Sequence, residues 1–437
     1  MDIVDNQALE RMREFISRYW MWNRVPVGDD TARFVRDMAD QWDASIISVP
    51  SGAECLTWVV PPKWSVREAY IESPDGERIA DFAKNPLYLK SYSAPFSGEV
   101  DRDTLREHVL SDPQRPDDLI YDYRAQYQYG ERTEWGFSLP HRIVDSLPEG
   151  NYRAHIDVAF GEGTLDVLDW YLPGGSSETI FFAAHTCHPA QVNDGIACIA
   201  VLIELFLRLA QQPKRRFSYR LLLGPEYFAG AAVLAHATGI ENLRYGFFLD
   251  MMGNGQRFGY SRSYRGDSLV DRIVSHVLQA NTDDFFETDY RKLWGNDELF
   301  YDGPDYRIPT IGLGRDRFVH YHTDKDDPEH CDYDQLLESV DILSKMVEIF
   351  ESDVVVARNY RGPLYLSRYG LYIDPKLDPN GYQHMQEIQI EMDGTRSNFE
   401  IAERLGVSHE FVTKFAEQLI AHGLAQIVED RKLDVSN

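Results

Sequence analysis

The spacing of apolar residues changes character several times along the chain. From Asp5 to about Trp42 they recur at helical intervals, as in LERMREFISRYW and TARFVRDMADQW, predicting two helices separated by the loop VPVGDD. Residues 44–172 instead carry short alternating or aromatic runs such as CLTWVV, AYIES, WGFSLP, YRAHIDVAF and LDVLDWYLPG, punctuated by Pro, Gly and Asp. Such runs between turn residues predict strands. From about residue 178 apolar runs alternate with amphipathic stretches. ETIFFAAH, FSYRLLLG, RYGFFLD and IPTIGLG read as strands, and GIACIAVLIELFLRLAQQ, YFAGAAVLAHATG, SLVDRIVSHVLQA and YDQLLESVDILSKMVEIFES as helices.

Strands flanked by helices of that length predict an α/β fold with a doubly wound, mostly parallel sheet, in which ligands sit beyond the carboxyl ends of the strands. The last segment reads differently. SNFEIAERLGVSHEFVTKFAEQLIAHGL predicts an N-cap at Asn398, a helix to Arg404, a turn through Gly406, a second N-cap at Ser408 and a helix ending at Gly423. That is helix-turn-helix punctuation. The chain thus divides into a helical lead-in (1–43), a β-rich segment (44–172), an α/β domain (173–356) and a C-terminal helical domain (383–437).

Composition narrows the classes. With 437 residues, 43% of them hydrophobic and 26% charged, the chain is globular and long enough for two or three domains. Cys55, Cys187, Cys198 and Cys331 are scattered with no CxxC pair, and are expected to be reduced thiols in a cytoplasmic protein. The start MDIVDNQALERMREF lacks the basic and apolar parts of a signal peptide, and no apolar stretch reaches the roughly 18–20 residues of a membrane span. A formal charge of −27 disfavours nucleic acid and anionic membranes as partners.

Candidate chemistry gathers at the predicted strand exits. HTCHPAQVND places His185, Cys187, His188 and Asp194 just beyond ETIFFAAH, because Pro189 cannot continue a central ladder. Imidazole nitrogens and carboxylate oxygens are ligands that catalytic zinc takes. Residues three apart on a strand point to opposite faces, so the two histidines converge only if the chain turns between them. Taken alone the segment also reads as ordinary, since histidines at strand ends are commonly hydrogen-bonded and Asn-Asp is a common helix start. Partners at later strand exits strengthen the metal reading: Glu226 in GPEY, Asp250 in LDMMG, Asp297 and Glu298 in WGNDELF, and His320 and His322 in FVHYHTDKDD.

On this ordered set, residues from about 178 to 350 resemble the zinc aminopeptidase family with co-catalytic metals, which also includes glutamate carboxypeptidases. The combination of CHP, ND, PE, NDE and YHT more closely resembles a bacterial aminopeptidase-like subfamily with an inserted β-rich domain and a C-terminal winged helix. The resemblance implies one or two zinc ions. His188, Asp194 and His322 are implied as first ligands, with His185 and Asp250 completing a second site. Glu226 is implied as the general base, and Asp297 or Glu298 as contacts to the substrate's amino group. Two departures stand out: Tyr227 follows Glu226 where the family has a second Glu, and Cys187 stands where an orienting Asp is expected.

The expected function is zinc-dependent hydrolysis of an amide bond in a small peptide, an amino-acid conjugate or an amide-containing biosynthetic intermediate. The alternatives are a non-catalytic binding protein, or a DNA-binding regulator on a degenerate peptidase fold. From residue 383 onward there are five basic and ten acidic residues, and the second helix offers only Lys414. That argues against groove recognition and for packing or homo-oligomerisation through the winged helix.

Overall fold

In the computed structural model, residues 3–430 are described. Eight strands form the central sheet: β1 Ser45–Pro50, β2 Thr164–Leu172, β3 Thr179–His185, β4 Ser218–Gly224, β5 Leu243–Leu249, β6 Phe258–Ser261, β7 Phe285–Thr288 and β8 Thr310–Arg315. Their order across the sheet is β1-β2-β4-β3-β5-β8-β6-β7. The four middle strands β4, β3, β5 and β8 are parallel to one another. Both flanks break that pattern, because β2 runs antiparallel to β4 and to β1, and β6 antiparallel to β8. The sheet is therefore mixed rather than mostly parallel. Two of its strands, β1 and β2, come from the ends of the segment 44–172, where alternation revealed strands but not their partners.

Every residue of β3 and β4 is buried, as expected for strands covered on both faces. One face packs against helices α1 (Ile3–Tyr19), α2 (Asp29–Trp42), α3 (Ala197–Gln211), α5 (Leu269–Asn281) and α6 (Tyr333–Ser352). Met12, Phe34, Val201 and Leu343 there meet Ile180, Phe182 and Phe247. The opposite face, with Phe181, Ala183 and Phe248, packs against Ala231 and Val233 of α4 (Phe228–His236) and against Tyr301.

Between β1 and β2 lies a second, antiparallel sheet in the order 78–81, 63–72, 151–161, 96–101. It has its own core of Trp64, Ile71, Tyr152 and Ile156. At the other end of the chain, strand Val354–Arg358 pairs with Asp393–Ser397 and Ala425–Asp430, and helices α7 (Pro379–Glu391), α8 (Asn398–Leu405) and α9 (His409–Ala421) pack with it around Met385, Ile401, Val412 and Leu419. The cap of α8 is Ser397, one residue before the expected Asn398: its hydroxyl accepts the Glu400 N–H while the Glu400 side chain accepts the Ser397 N–H. Gly406 ends α8 in the left-handed region and Ser408 caps α9, as the pattern predicts. Among the described residues, no helix is long and apolar enough to cross a membrane.

Candidate metal centre

Two strand exits and a later loop bring the polar residues together. β3 ends at His185, and the chain then turns through Thr186–Gln191, so that the rings of His185 and His188 lie 4.4 Å apart between centroids. The fully buried Arg24 holds this turn. Its guanidinium donates to the carbonyls of Thr186 (3.1 Å), His188 (2.5 Å) and Gln191 (3.3 Å), and also to Tyr19 at 2.7 Å. Carbonyls that no strand can pair are thereby satisfied inside the protein.

Asn193, Asp194 and Gly195 then open α3. The carboxylate of Asp326 accepts the N–H groups of Asn193 (2.8 Å) and Asp194 (2.9 Å) and the Asn193 side-chain amide (3.1 Å). Asn193 in turn accepts the N–H of Gly253, just beyond Asp250. Gly195 has φ +116°, and a Cβ there would lie 3.0–3.1 Å from the His185 carbonyl and ring. Only glycine allows Asp194 and His185 to approach as they do.

Asp194 is the centre of the arrangement. Its Oδ2 lies 2.8 Å from His322 Nε2 and 3.9 Å from His188 Nε2, while its Oδ1 lies 3.1 Å from His185 Nε2. Asp250 Oδ1 stands 3.5 Å from the same His185 nitrogen. Two triads thus share Asp194: His188, Asp194 and His322, and His185, Asp194 and Asp250, with the candidate ligand atoms of each within 4.8 Å of one another. Asp194 Oδ2, Asp250 Oδ1 and His322 Nε2 are buried and have no hydrogen-bond partner among the described residues, despite the short His322–Asp194 separation. Buried polar atoms are ordinarily satisfied, and orphans that converge on one volume fit a bound cation. The donor set of imidazole nitrogens and carboxylate oxygens is one that zinc takes.

The electrostatics agree. Burial raises the Asp250 carboxyl, and burial depresses His188 well below the usual imidazole range. Burial opposes ionisation of Asp194 as well, but the surrounding imidazoles His188, His185 and His322 hold it well below the usual carboxylate range. For His185, burial is outweighed by the carboxylates of Asp194 and Asp250, which raise it. Backbone strain concentrates at the same place: Ala190, Tyr227, Met251 and His322 all have positive φ, between 50° and 61°. Conformations of that kind cost of order 1–3 kcal/mol each and persist where the surroundings over-determine them.

Glu226 follows β4 and faces this cluster, its Oε2 4.0 Å from His188 Nε2. The same oxygen accepts the Tyr127 hydroxyl at 2.5 Å, and burial raises the Glu226 carboxyl above its ordinary range. Cys187, where an orienting Asp was expected, accepts the Glu226 N–H through its sulfur at 3.2 Å. Tyr121 presents its ring edge-on to both His188 and His322, and Tyr123 and Tyr321 pack on His322. Trp135, from the same β-rich segment, stacks instead on Phe96 and His108 beside the second sheet's own core.

Asp297 and Glu298 both lie inside the protein. Asp297 is buried and caps α4, accepting the N–H groups of Tyr227 and of Gly230 (2.9 Å), and burial pushes it up to about 8. Glu298 is buried too; it accepts the Asn296 N–H at 2.8 Å and pairs with Arg291 at 3.3 Å, and burial pushes it up to about 7. Both carboxylates are engaged inside the protein. It is Asn296, in the same NDE motif, that reaches the cluster, donating to Asp250 Oδ2 at 2.9 Å. Sequence reading did not single out Asn296, Asn193, Asp326 or Arg24. The first three lie inside quoted motifs, whereas Arg24 left no local signal. His320, the other histidine of FVHYHTDKDD, packs against Phe318 and His330.

Comparison with known proteins bears on this geometry. A family model described as a domain of unknown function, DUF4910, matches residues 13–353. A protein of Clostridium acetobutylicum described as a polysaccharide biosynthesis protein with an aminopeptidase-like domain is 28% identical over 337 residues, 76% of this chain and 73% of its own. A crystal structure from the same species, described as a peptidase, superposes with a TM-score of 0.88 at 24% identity, over 97% of both chains. BSAP, a zinc aminopeptidase from Bacillus subtilis, superposes at 0.56 with 11% identity, over 79% of this chain and 94% of its own. At these identities the structural likeness is one of fold: a mixed α/β protein whose large central sheet is that of zinc aminopeptidases.

Proposed function

The chain belongs to the DUF4910 family, and from that premise we propose that it is a zinc-dependent amide hydrolase of aminopeptidase-like kind. The observation that carries the proposal is the pair of triads sharing Asp194, with Glu226 beside them. His188, Asp194 and His322 would hold one ion, and His185, Asp194 and Asp250 a second. Zinc, when bound, supplies Lewis-acid activation of water and of the scissile carbonyl. Glu226 takes the proton of the attacking water and passes it to the leaving nitrogen, a role its raised carboxyl suits at neutral pH. Tyr127 orients that carboxyl through the 2.5 Å hydrogen bond, and Asn296 orients Asp250.

The absent second Glu has a physical replacement. Tyr227 is turned away and stacks on Trp58, while His188 supplies a nitrogen beside Asp194 and Glu226. In this reading His188 fills the coordination position left by that carboxylate. Substrates are amides of a peptide, an amino-acid conjugate or a biosynthetic intermediate. The description of the Clostridium relative as a polysaccharide biosynthesis protein supports the third class. Residues 63–161 are read as a β-rich insertion that brings Tyr121 and Tyr127 to the site. The C-terminal helices and sheet are read as a winged helix that packs or dimerises, since α9 carries a single lysine, Lys414, which lies against Glu410.

The test is Glu226→Gln in zinc-loaded protein against a panel of amide substrates. Hydrolysis should fall by roughly 10²–10⁴-fold with zinc content unchanged. Hydrolysis at the parent rate would remove Glu226 from the mechanism.

A further inference from the structure

The loop that carries His322 is held from two sides. From the α/β domain, the Gln191 amide donates to the Thr323 carbonyl at 2.9 Å, and Asp326 is tied to the N–H groups of Asn193 and Asp194. From the β-rich segment, residues 115–121 reach the same loop. Ile120 and Thr323 form an isolated antiparallel bridge. Around it the Tyr121 N–H donates to the His322 carbonyl (2.9 Å), the Asp324 N–H to the Leu119 carbonyl (3.1 Å) and the Leu119 N–H to Asp324 Oδ1 (2.9 Å). Arg115 donates to the Tyr321 carbonyl at 3.1 Å. Between these bonds His322 has φ +57°, a backbone state that a residue other than glycine keeps where its surroundings over-determine it.

The buried side chain of Tyr121 acts on the imidazoles themselves. Its ring stands edge-on to His188 (5.3 Å, 71°) and to His322 (5.2 Å, 77°), and its hydroxyl donates to the Cys187 carbonyl at 3.2 Å. Edge-on ring pairs have a preferred geometry, so one phenol fixes the planes of both histidines of one triad. The other triad is braced from within the α/β domain. His185 packs along Phe248 of β5 at 6.2 Å, Gly195 abuts its ring, and Asp250 accepts the Asn296 amide at 2.9 Å. Ligands that are already aimed lose less freedom when a metal binds, and the groups that aim them tune its affinity.

We propose that Tyr121 is a positioning residue for one zinc site of the two: through it the β-rich segment sets the affinity of the triad His188, Asp194 and His322, while the triad His185, Asp194 and Asp250 is held from the α/β domain. The inference rests on the reading of both triads as zinc sites and deepens it, since occupancy of one site then depends on a part of the chain outside the α/β domain. Its test is competition titration of zinc against a chelator on the full chain, without turnover. Tyr121→Leu keeps apolar bulk and removes the ring. It should weaken zinc roughly tenfold or more in an Asp250→Ala background, where the His322 triad remains, and less than about twofold in a His322→Ala background, where the Asp250 triad remains. Tyr121→Phe, which restores the ring, should recover most of the affinity. Arg115→Met acts on the same loop through the Tyr321 carbonyl and serves if Tyr121→Leu does not fold; it should show the same selectivity with a smaller loss.

Equal losses in the two backgrounds, parental affinity in folded Tyr121→Leu, or a Tyr121→Phe protein as weak as Tyr121→Leu would overturn the positioning role. If that happens in protein that takes up zinc and cleaves amides, only this inference fails. If zinc binds with the selective loss but no amide is cleaved, the hydrolase reading fails and the positioning role stands. A parent that takes up no zinc overturns both.

Discussion

Gly195→Ala separates the two triads. At φ +116° an alanine is in a region that L side chains rarely adopt, and its Cβ would stand 3.0 Å from the His185 carbonyl and 3.1 Å from ring atoms Cε1 and Nδ1. Backbone strain of this type costs about 1–3 kcal/mol. Asp194 and Asn193 are anchored through their N–H groups by Asp326, so the side chain that yields is His185. His185 belongs to the triad with Asp250 and not to the triad with His322. If the strain falls on that triad, its zinc affinity drops by roughly five- to 150-fold, at about 1.4 kcal/mol per tenfold. Competition titration of zinc against a chelator should resolve one site at parental affinity and one weakened. Two sites of parental affinity would refute the contact argument, and equal weakening of both would refute the assignment of His185 to one of them.

Other expectations follow from the same contacts. Arg24→Met removes a buried guanidinium and leaves the carbonyls of Thr186, His188 and Gln191 without that donor; stability should fall by roughly 2–4 kcal/mol in chemical denaturation, with weaker zinc binding at the His188 site. An unchanged denaturation midpoint would show that the turn holds without it. Tyr127→Phe removes a charge-assisted hydrogen bond worth about 1.5–3 kcal/mol from Glu226. Because that bond favours the ionised carboxylate, the acid limb of kcat/KM should move to higher pH; a limb that stays in place would detach Tyr127 from the base. In the C-terminal bundle, burial, with the nearby His276 adding to it, holds His409 down to about 4. The unfolded chain then takes up a proton that the fold refuses, so stability present above pH ~6.5 is lost as pH falls toward 4, by about 3 kcal/mol in all. His409→Phe should flatten that part of the stability profile, and an equally steep profile in the variant would place the titration elsewhere.

The legible part of the fold was the part governed by local periodicity. β3, β4, β5 and β8 are short, mostly apolar runs, and α3 and α6 are long amphipathic stretches between turn residues. Pairing across the sheet is non-local, which is why the antiparallel strands β1 and β2 read as part of the β-rich segment rather than of the central sheet. In the site, His185, His188, Asp194, Asp250 and His322 were visible because each follows a strand exit or opens a helix. The geometric worry that His185 and His188 point apart is resolved by the turn that Arg24 ties down, a contact 164 residues distant in sequence from His188. Asp297 and Glu298 mark the limit of that signal: a carboxylate in a loop motif looks the same in sequence whether it meets a substrate or caps a helix. Only the buried N–H groups of Tyr227, Gly230 and Asn296 distinguish the two.

The central claim is that both triads hold zinc through one shared carboxylate, and the most direct measurement is the zinc content of folded Asp194→Ala beside the parent. The parent is expected to bind up to two zinc ions per chain, and the variant, with an unchanged far-ultraviolet circular dichroism spectrum, is expected to bind close to none. A folded Asp194→Ala protein that keeps the parent's zinc, or a parent that takes up no zinc at all, would contradict the account.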